Sequence, residues 1–397
     1  MKRIIFFIGI IYIATACSKS AINPELVACN CPSAVKKSTE KPPVDISPYS
    51  LLKPASWQDL EGLLEDDVVE AWPAWLQSCT RLGEKEAWKT ACDAASAMNQ
   101  PNSARIIDYL SNHFDVFHAQ NQDGSTTGMV TGYYQPLLKG SRKQSKQYPH
   151  PLYGVPADLI TVELADAYPQ LKYKRVRGRL TGKKLIPYRT RAEIDVNPSP
   201  LAGNEIFWID NNIDVFFLQI QGSGVVQLEN GEQVQVGYAN HNGRPYHSIG
   251  RLLVEQGALT LEKASMKGIK NWALNNPDKL QPLLNSNPSY VFFRELPTGL
   301  SGPIGALGVP IKAERSIAVD RKFIPLGAPI FLSTTEPNST NPLRRLMLAQ
   351  DTGGAIKGGV RADLFWGAGD KAGAKAGSMK QQGEVWVLLP KGFMLPQ

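Results

Sequence analysis

Three aspartates near the C-terminal end of the chain, Asp320, Asp351 and Asp363, have the surroundings that carboxylate chemistry requires. Asp351 follows the apolar run Leu346-Met347-Leu348-Ala349 and opens Asp351-Thr352-Gly353-Gly354, while Asp363 directly precedes Leu364-Phe365-Trp366. Asp320 follows Ser316-Ile317-Ala318-Val319 and precedes the turn formers Pro325 and Gly327. All three read as residues at the ends of short strands. Gly353, Gly354, Gly358 and Gly359 allow tight turns between the last two and leave backbone open to a bulky ligand. A carboxyl held in such an apolar cleft, with its pKa raised, is what general acid and base catalysis needs. A single aspartate at a strand end more commonly hydrogen-bonds its own backbone in a turn. Three in one glycine-rich, aromatic-flanked segment argue for a site in which one or two of them act.

Two further polar sets have chemistry of their own. Gln219, Gln221, Gly222 and Ser223 follow Val215-Phe216-Phe217-Leu218, an apolar run that reads as a buried strand. Amides there donate and accept at once, which suits sugar hydroxyls; capping the strand is the competing role. Thr131-Gly132-Tyr133-Tyr134 offers a hydroxyl, bare backbone and two rings for stacking on a sugar face, against the commoner role of core-edge packing. His113, His118, His150, His241 and His247 form no metal or triad spacing, so no metal site is expected. Asp351-Thr352-Gly353 occurs once, whereas an aspartic protease shares one proton between two such aspartates. The stretch from Gly302 to Gly308 lacks the spacing of a dinucleotide or phosphate loop, and no nucleotide is assigned.

The elements that must position these residues change character along the chain. Lys2 and Arg3, the apolar stretch from Ile4 to Ile13 and Ala14-Thr15-Ala16 read as a secretory signal, too short to span a bilayer. Cys17 follows directly, as in a bacterial lipobox, and Ser18 in place of aspartate points to lipid attachment at the outer membrane, facing the periplasm. Residues 18 to about 48 are a Ser-, Pro- and Lys-rich tether. From Ser56 the pattern is helical, with Leu60, Leu63 and Leu64 on one face and Ile106, Tyr109, Leu110 and Phe114 on another. In an oxidising compartment Cys79 and Cys92 suit a helical-hairpin disulfide worth about 3 kcal/mol. Cys29 and Cys31 are too close for an easy mutual bond. Strands begin near Met129, Lys139 to Lys143 reads as a boundary loop, and short strands alternate with turns from about 150 to 295 and again to Val385-Leu389. With 397 residues, 43% hydrophobic, the chain is long enough for two domains. Its formal charge of +7 falls to +5 (7 minus 2) without Lys2 and Arg3, which suits a polyanionic partner such as a cell wall. The scattered basic residues lack the aromatic stripe of a nucleic-acid reader, and no nucleic acid is expected.

The runs Ile304 to Val309, Val319-Asp320, Phe323 to Gly327, Ala349 to Gly358 and Asp363 to Gly367 closely resemble the three-aspartate domain of the membrane-bound lytic murein transglycosylase A family. The resemblance extends to Thr131-Tyr134, Tyr188-Arg191, Gln219-Gly224 and the lipobox, covering nearly all of the mature chain. It implies a mainly β fold with some α: a double-psi β-barrel domain from 48 to 137 plus 296 to 397, with a β-rich domain from 138 to 295 inserted as the other wall of a glycan groove. By the same resemblance Asp363 matches the catalytic acid and Asp351 and Asp320 its companions. Thr131, Gly132, Tyr133, Gln219, Gln221, Ser223 and Tyr290 would line the groove. The implied reaction cleaves the β-1,4 bond between N-acetylmuramic acid and N-acetylglucosamine in peptidoglycan, closing a 1,6-anhydro ring without cofactor. Asp363, its pKa raised beside Phe365 or Trp366, would serve as acid and then base. A metal-free glycoside hydrolase using Asp363 with Asp351, a non-catalytic wall-binding lipoprotein and a dimeric aspartic protease are the alternatives. Cell-wall synthesis or division machinery are the expected protein partners.

Overall fold

Six strands, supplied by the chain out of order, pair into a closed ring: Gly128–Gln135, Lys380–Pro390, Pro329–Thr335, Pro342–Asp351, Ser316–Val319 and Ala362–Ala368, which returns to Gly128–Gln135. Closure removes the free edges of an open sheet. The eleven-residue strand Lys380–Pro390 makes it possible by serving three partners in turn. Its first residues pair with the strand from Gly128, its middle with Ile330 to Ser333, and its end with Phe114 to His118. The hand-over falls at Gly383, where an added Cβ would lie 2.8 Å from Val130 and 2.9 Å from the Ser333 carbonyl. Two pairs in the ring are parallel, Ser316–Val319 with Pro342–Asp351 and Ala362–Ala368 with Gly128–Gln135.

This computed structural model describes residues 48–172, 174 and 176–395, and the chain from Ile46 onward forms one compact unit. The signal, Cys17, Cys29 and Cys31 lie outside the described residues. Among those described, no helix is long and apolar enough to cross a membrane, and no cluster of His, Cys, Asp or Glu could hold a metal ion.

Three helices, Trp72–Leu82, Glu86–Ser96 and Ser103–His113, cover one side of the ring. Trp75 and Tyr109 pack edge to face on Phe114 and Trp88 lies tilted against it beneath them, and a Cys79–Cys92 disulfide joins the first two helices. A second, six-stranded sheet runs in the order Val291–Glu295, Gln233–His241, Ser223–Gln227, Leu137–Ser141, Glu205–Ile209, His150–Tyr153. Ile160–Thr161, Arg177–Thr181 and Lys184–Pro187 form a small third sheet.

Several local expectations are corrected. Val215 to Leu218 is not a strand but the middle of the helix Asn212–Gln221, capped by the Asn211 side chain. Val215 and Leu218 pack on the second sheet with Phe207 and Val236, while Ile213, Phe216 and Phe217 pack on the helices Ile249–Glu255, Met266–Asn275 and Pro277–Asn285. A helix buried on two sides carries an unbroken apolar run, and over four residues that cannot be told from a buried strand. Short strands do alternate with turns through much of 150 to 295, but those three helices occupy its later part, and Gly369–Ser378 is a helix within the expected C-terminal strands. Part of the expected boundary loop is the strand Leu137–Ser141. After Ser56, whose N–H donates to the Asp59 carboxylate (2.8 Å), only a 3-10 turn Trp57–Asp59 forms; Leu60 and Leu63 are buried but Leu64 is exposed.

Candidate active site

One row across the ring gathers the site. In strand register Ala318 stands beside both Asp351 and Asp363, and Asp363 stands beside Thr131, so four adjacent strands present Asp351, Ala318, Asp363 and Thr131 side by side. Because side chains alternate along a strand, Asp363 and Phe365 share a face while Leu364 and Trp366 enter the core on the other. Phe365 packs against Tyr133, ring centroids 5.2 Å apart, and with Ile311, Ala318 and Ile356 they form a small apolar floor.

The two carboxyls of the row differ in their partners. Asp351 Oδ1 accepts the backbone N–H of Ala306 (2.9 Å) and Thr352 (2.8 Å), and its Oδ2 accepts the Tyr133 hydroxyl (2.9 Å). Both oxygens of Asp351 are thus engaged by donors. Asp363 accepts one protein hydrogen bond, from Thr131 Oγ1 to Oδ1 at 2.5 Å. Its carboxyl is crowded by protein yet keeps some accessible surface. Desolvation pushes its pKa up to about 6, the nearby Asp351 charge adding to this and the Thr131 hydrogen bond and Arg361 charge opposing it. Burial also raises the Tyr133 hydroxyl well above its ordinary value, reinforced by the Asp351 charge. Asp320 is buried and serves the loop between the two: its Oδ1 accepts the N–H of Lys322 and its Oδ2 that of Gly358, each at 3.1 Å.

Deeper contacts hold the row in place. Gln350, fully buried just before Asp351, accepts from Ser316 Oγ and donates to the Ala74 carbonyl and Ser78 Oγ. The glycine-rich stretch from Gly302 matters after all. An added Cβ at Gly305 would lie 2.6 Å from the Gln350 carbonyl, and this close approach brings the Ala306 N–H to Asp351.

Comparison with known proteins now bears on this geometry. Residues 129–294 match the family model of the MltA specific insert domain, and residues 315–389 that of the 3D domain. A membrane-bound lytic murein transglycosylase A from Vibrio cholerae is 33% identical over 284 residues, 69% of each chain. The chain belongs to the membrane-bound lytic murein transglycosylase A family. Among solved structures, MltA from Neisseria gonorrhoeae matches with a TM-score of 0.74 at 35% identity, over 86% of this chain and 93% of that one. The lytic transglycosylase LtgG of Burkholderia pseudomallei matches with a TM-score of 0.57 at 44% identity, over 86% and 96%.

Within this member of the family, the other residues singled out from the sequence fall into distinct places. Gly132 lies on the far face of its strand, where an added Cβ would come within 2.5 Å of Trp366 and 2.9 Å of Ala376; its bareness makes room for packing. Gln219 is buried in the last turn of a helix, its Oε1 accepting from Arg191. Arg191 also donates to the Asn287 and Ser289 carbonyls and lies between the rings of Phe216 and Tyr290. Tyr290 is likewise buried, and burial drives its hydroxyl well above the ordinary range. Gln221 Oε1 accepts the Tyr134 N–H at 3.0 Å, tying this helix to the strand that carries Thr131 and Tyr133. Ser223 is buried at the start of its strand. A cavity of about 520 Å³ lies elsewhere, among Leu63, Leu64, Ile107 and Asp108.

Sequence reasoning missed Arg361. Its guanidinium donates to Thr131 Oγ1 (2.9 Å), the Met129 carbonyl (3.2 Å) and the Ala362 carbonyl. Burial lowers its pKa, with Asp363 opposing that. Strand alternation over Arg361-Ala362-Asp363 was the available signal, since it sets cation and acid on one face.

Proposed function

We propose that this protein is a lytic transglycosylase that cleaves the β-1,4 bond between N-acetylmuramic acid and N-acetylglucosamine in peptidoglycan. Asp363 protonates the leaving oxygen. The C6 hydroxyl of the muramic residue attacks C1, its proton passes to the Asp363 carboxylate, and a 1,6-anhydro ring closes with no water consumed. One observation carries this reading: of the two carboxyls in the row, only Asp363 keeps an oxygen without a protein hydrogen bond, and desolvation raises its pKa to about 6. Asp351, with both oxygens engaged, is poorly placed to attack a sugar or to activate water as the second carboxylate of a hydrolase does. A nucleophile within the substrate has a high effective molarity, so a second carboxylate is dispensable.

In the same reading the six-stranded ring is a double-psi barrel, and residues 138–295 are an insert whose wall faces the row across a glycan groove. Cys17 carries lipid that holds the protein at the outer membrane, and the membrane-bound names of its relatives support that association. The test is product analysis. Sacculi digested in ¹⁸O-labelled water should yield muropeptides ending in anhydromuramic acid, lighter by one water than hydrolysis products and free of label. Labelled reducing ends would replace this reading with the hydrolase.

A further inference from the structure

A carboxylic acid in a catalytic site has two oxygens, and which of them holds the proton decides whether it points at the substrate or at the protein. Here the answer is built into the contacts behind Asp363. The Arg361 guanidinium, which can only donate, gives one N–H to Thr131 Oγ1 at 2.9 Å. The threonine oxygen therefore accepts from Arg361, and its single hydrogen is left for another acceptor. That acceptor is Asp363 Oδ1, 2.5 Å away. With the threonine hydrogen directed there, Oδ1 is occupied as an acceptor and the acid's own proton belongs on Oδ2. The reverse arrangement, with the proton on Oδ1, would leave the threonine hydrogen without a protein acceptor among the described residues, at a cost typical of an unmade hydrogen bond.

We propose that Arg361 and Thr131 are positioning residues that act in series: Arg361 orients the Thr131 hydroxyl, and the hydroxyl holds the transferable proton of Asp363 on Oδ2. The proposal rests on the reading of Asp363 as the acid and adds the device that aims it. The pair has a second consequence. Both the hydrogen bond and the Arg361 charge favour the carboxylate and so counter the desolvation that raises the Asp363 pKa. Without them the acid would be harder to ionise and would persist unprotonated less readily for the second half of the reaction, when it must accept the C6 hydroxyl proton. The register explains why two residues suffice. Thr131 is the direct neighbour of Asp363 on the next strand, and Arg361 lies two residues before Asp363 on the same face. The other charged or titratable groups around the acid are Asp351, which raises its pKa, and Tyr133, whose hydroxyl is committed to Asp351. Lys380 stands in register beside Thr131 on the third strand but is exposed.

The test reads Asp363 directly, so that it does not depend on turnover. In protein labelled with ¹³C at the aspartate carboxyl, the Asp363 titration is followed in the unmutated chain and in Arg361→Gln, Thr131→Val and Thr131→Ser, with Asp363→Asn to assign the signal. Arg361→Gln and Thr131→Val should each move the midpoint up by about one pH unit, and Thr131→Ser, which keeps the hydroxyl, should leave it close to the original. The alkaline limb of kcat/KM on sacculi should move in the same direction, because an acid that must be protonated loses activity as pH rises through its pKa. Thermal unfolding of each variant separates a shifted proton from a broken fold, and Thr131→Ser and Arg361→Lys serve as variants that preserve the contacts if the others do not fold. An Asp363 midpoint unchanged in folded Arg361→Gln and Thr131→Val would overturn the proposal, as would a midpoint raised equally in Thr131→Ser. A hydrolytic product profile would overturn the transglycosylase reading while leaving this result standing.

Discussion

Two clusters in this molecule use nearly the same side chains to opposite ends. In the barrel row an arginine, a threonine, a tyrosine and a second aspartate surround Asp363, and one carboxyl oxygen of that acid is left open. In the second region Arg191, Gln219, Tyr290 and Asp195 also gather polar groups around a cation. There Arg191 is closed in by two backbone carbonyls, an amide oxygen and two aromatic faces. Burial raises the pKa of both acids, Asp195 as well as Asp363. What separates them is connectivity: Asp195 is held by Gln281 and faces Arg191, which joins the helices of the second region, whereas Asp363 takes its hydrogen bond from Thr131, its neighbour in the strand row. A raised pKa by itself does not mark a catalytic group.

Substitution should split the two clusters cleanly. The largest effect is expected from Asp363→Asn, which keeps the size of the acid but cannot give up its proton. Turnover on sacculi should fall by at least about a hundredfold, while glycan binding persists. Its charged form is disfavoured in the fold, so the melting temperature should stay level or rise. In the unmutated enzyme kcat/KM should decline as pH increases through about 6, the value at which the acid loses its proton. A variant that retained most of its turnover would move catalysis away from the row.

Arg191→Ala should do the reverse, costing about 3 to 5 kcal/mol of stability by denaturant unfolding, because it strands Asp195 and several buried acceptors. Full thermal stability together with lost glycan binding would instead place this cluster in the groove. Gln219→Ala should show the same behaviour on a smaller scale, about 1 to 3 kcal/mol, as Arg191 loses one acceptor. That expectation differs from the sugar-binding role the sequence suggested, and isothermal titration with a soluble chito-oligosaccharide beside the unfolding curve distinguishes them.

The strands that carry the row were legible because strand chemistry is local. The apolar runs before Asp320 and Asp351 marked true strands, Ser316–Val319 and Pro342–Asp351, while the sequence left open whether Phe365 or Trp366 stands beside Asp363. The glutamines were harder to place, since a short apolar run has the same composition in a doubly buried helix as in a buried strand. Gly132 was ambiguous for a related reason: a bare backbone admits a ligand or a neighbouring ring, and the fold packs Trp366 against it.

The sequence by itself determined which residues could act: acids after apolar runs, glycines where backbones must approach, a hydroxyl and two rings in one strand. The tertiary structure alone decided which of them meet. Asp351 and Asp363 become neighbours because two strands flank Ala318 in one register, parallel on one side and antiparallel on the other. Thr131 reaches Asp363 across more than two hundred residues only because the ring closes. Such pairings are set by the burial of whole strands rather than by local spacing, and the pKa of Asp363 depends on them because it sums the desolvation and charges that those distant segments bring together.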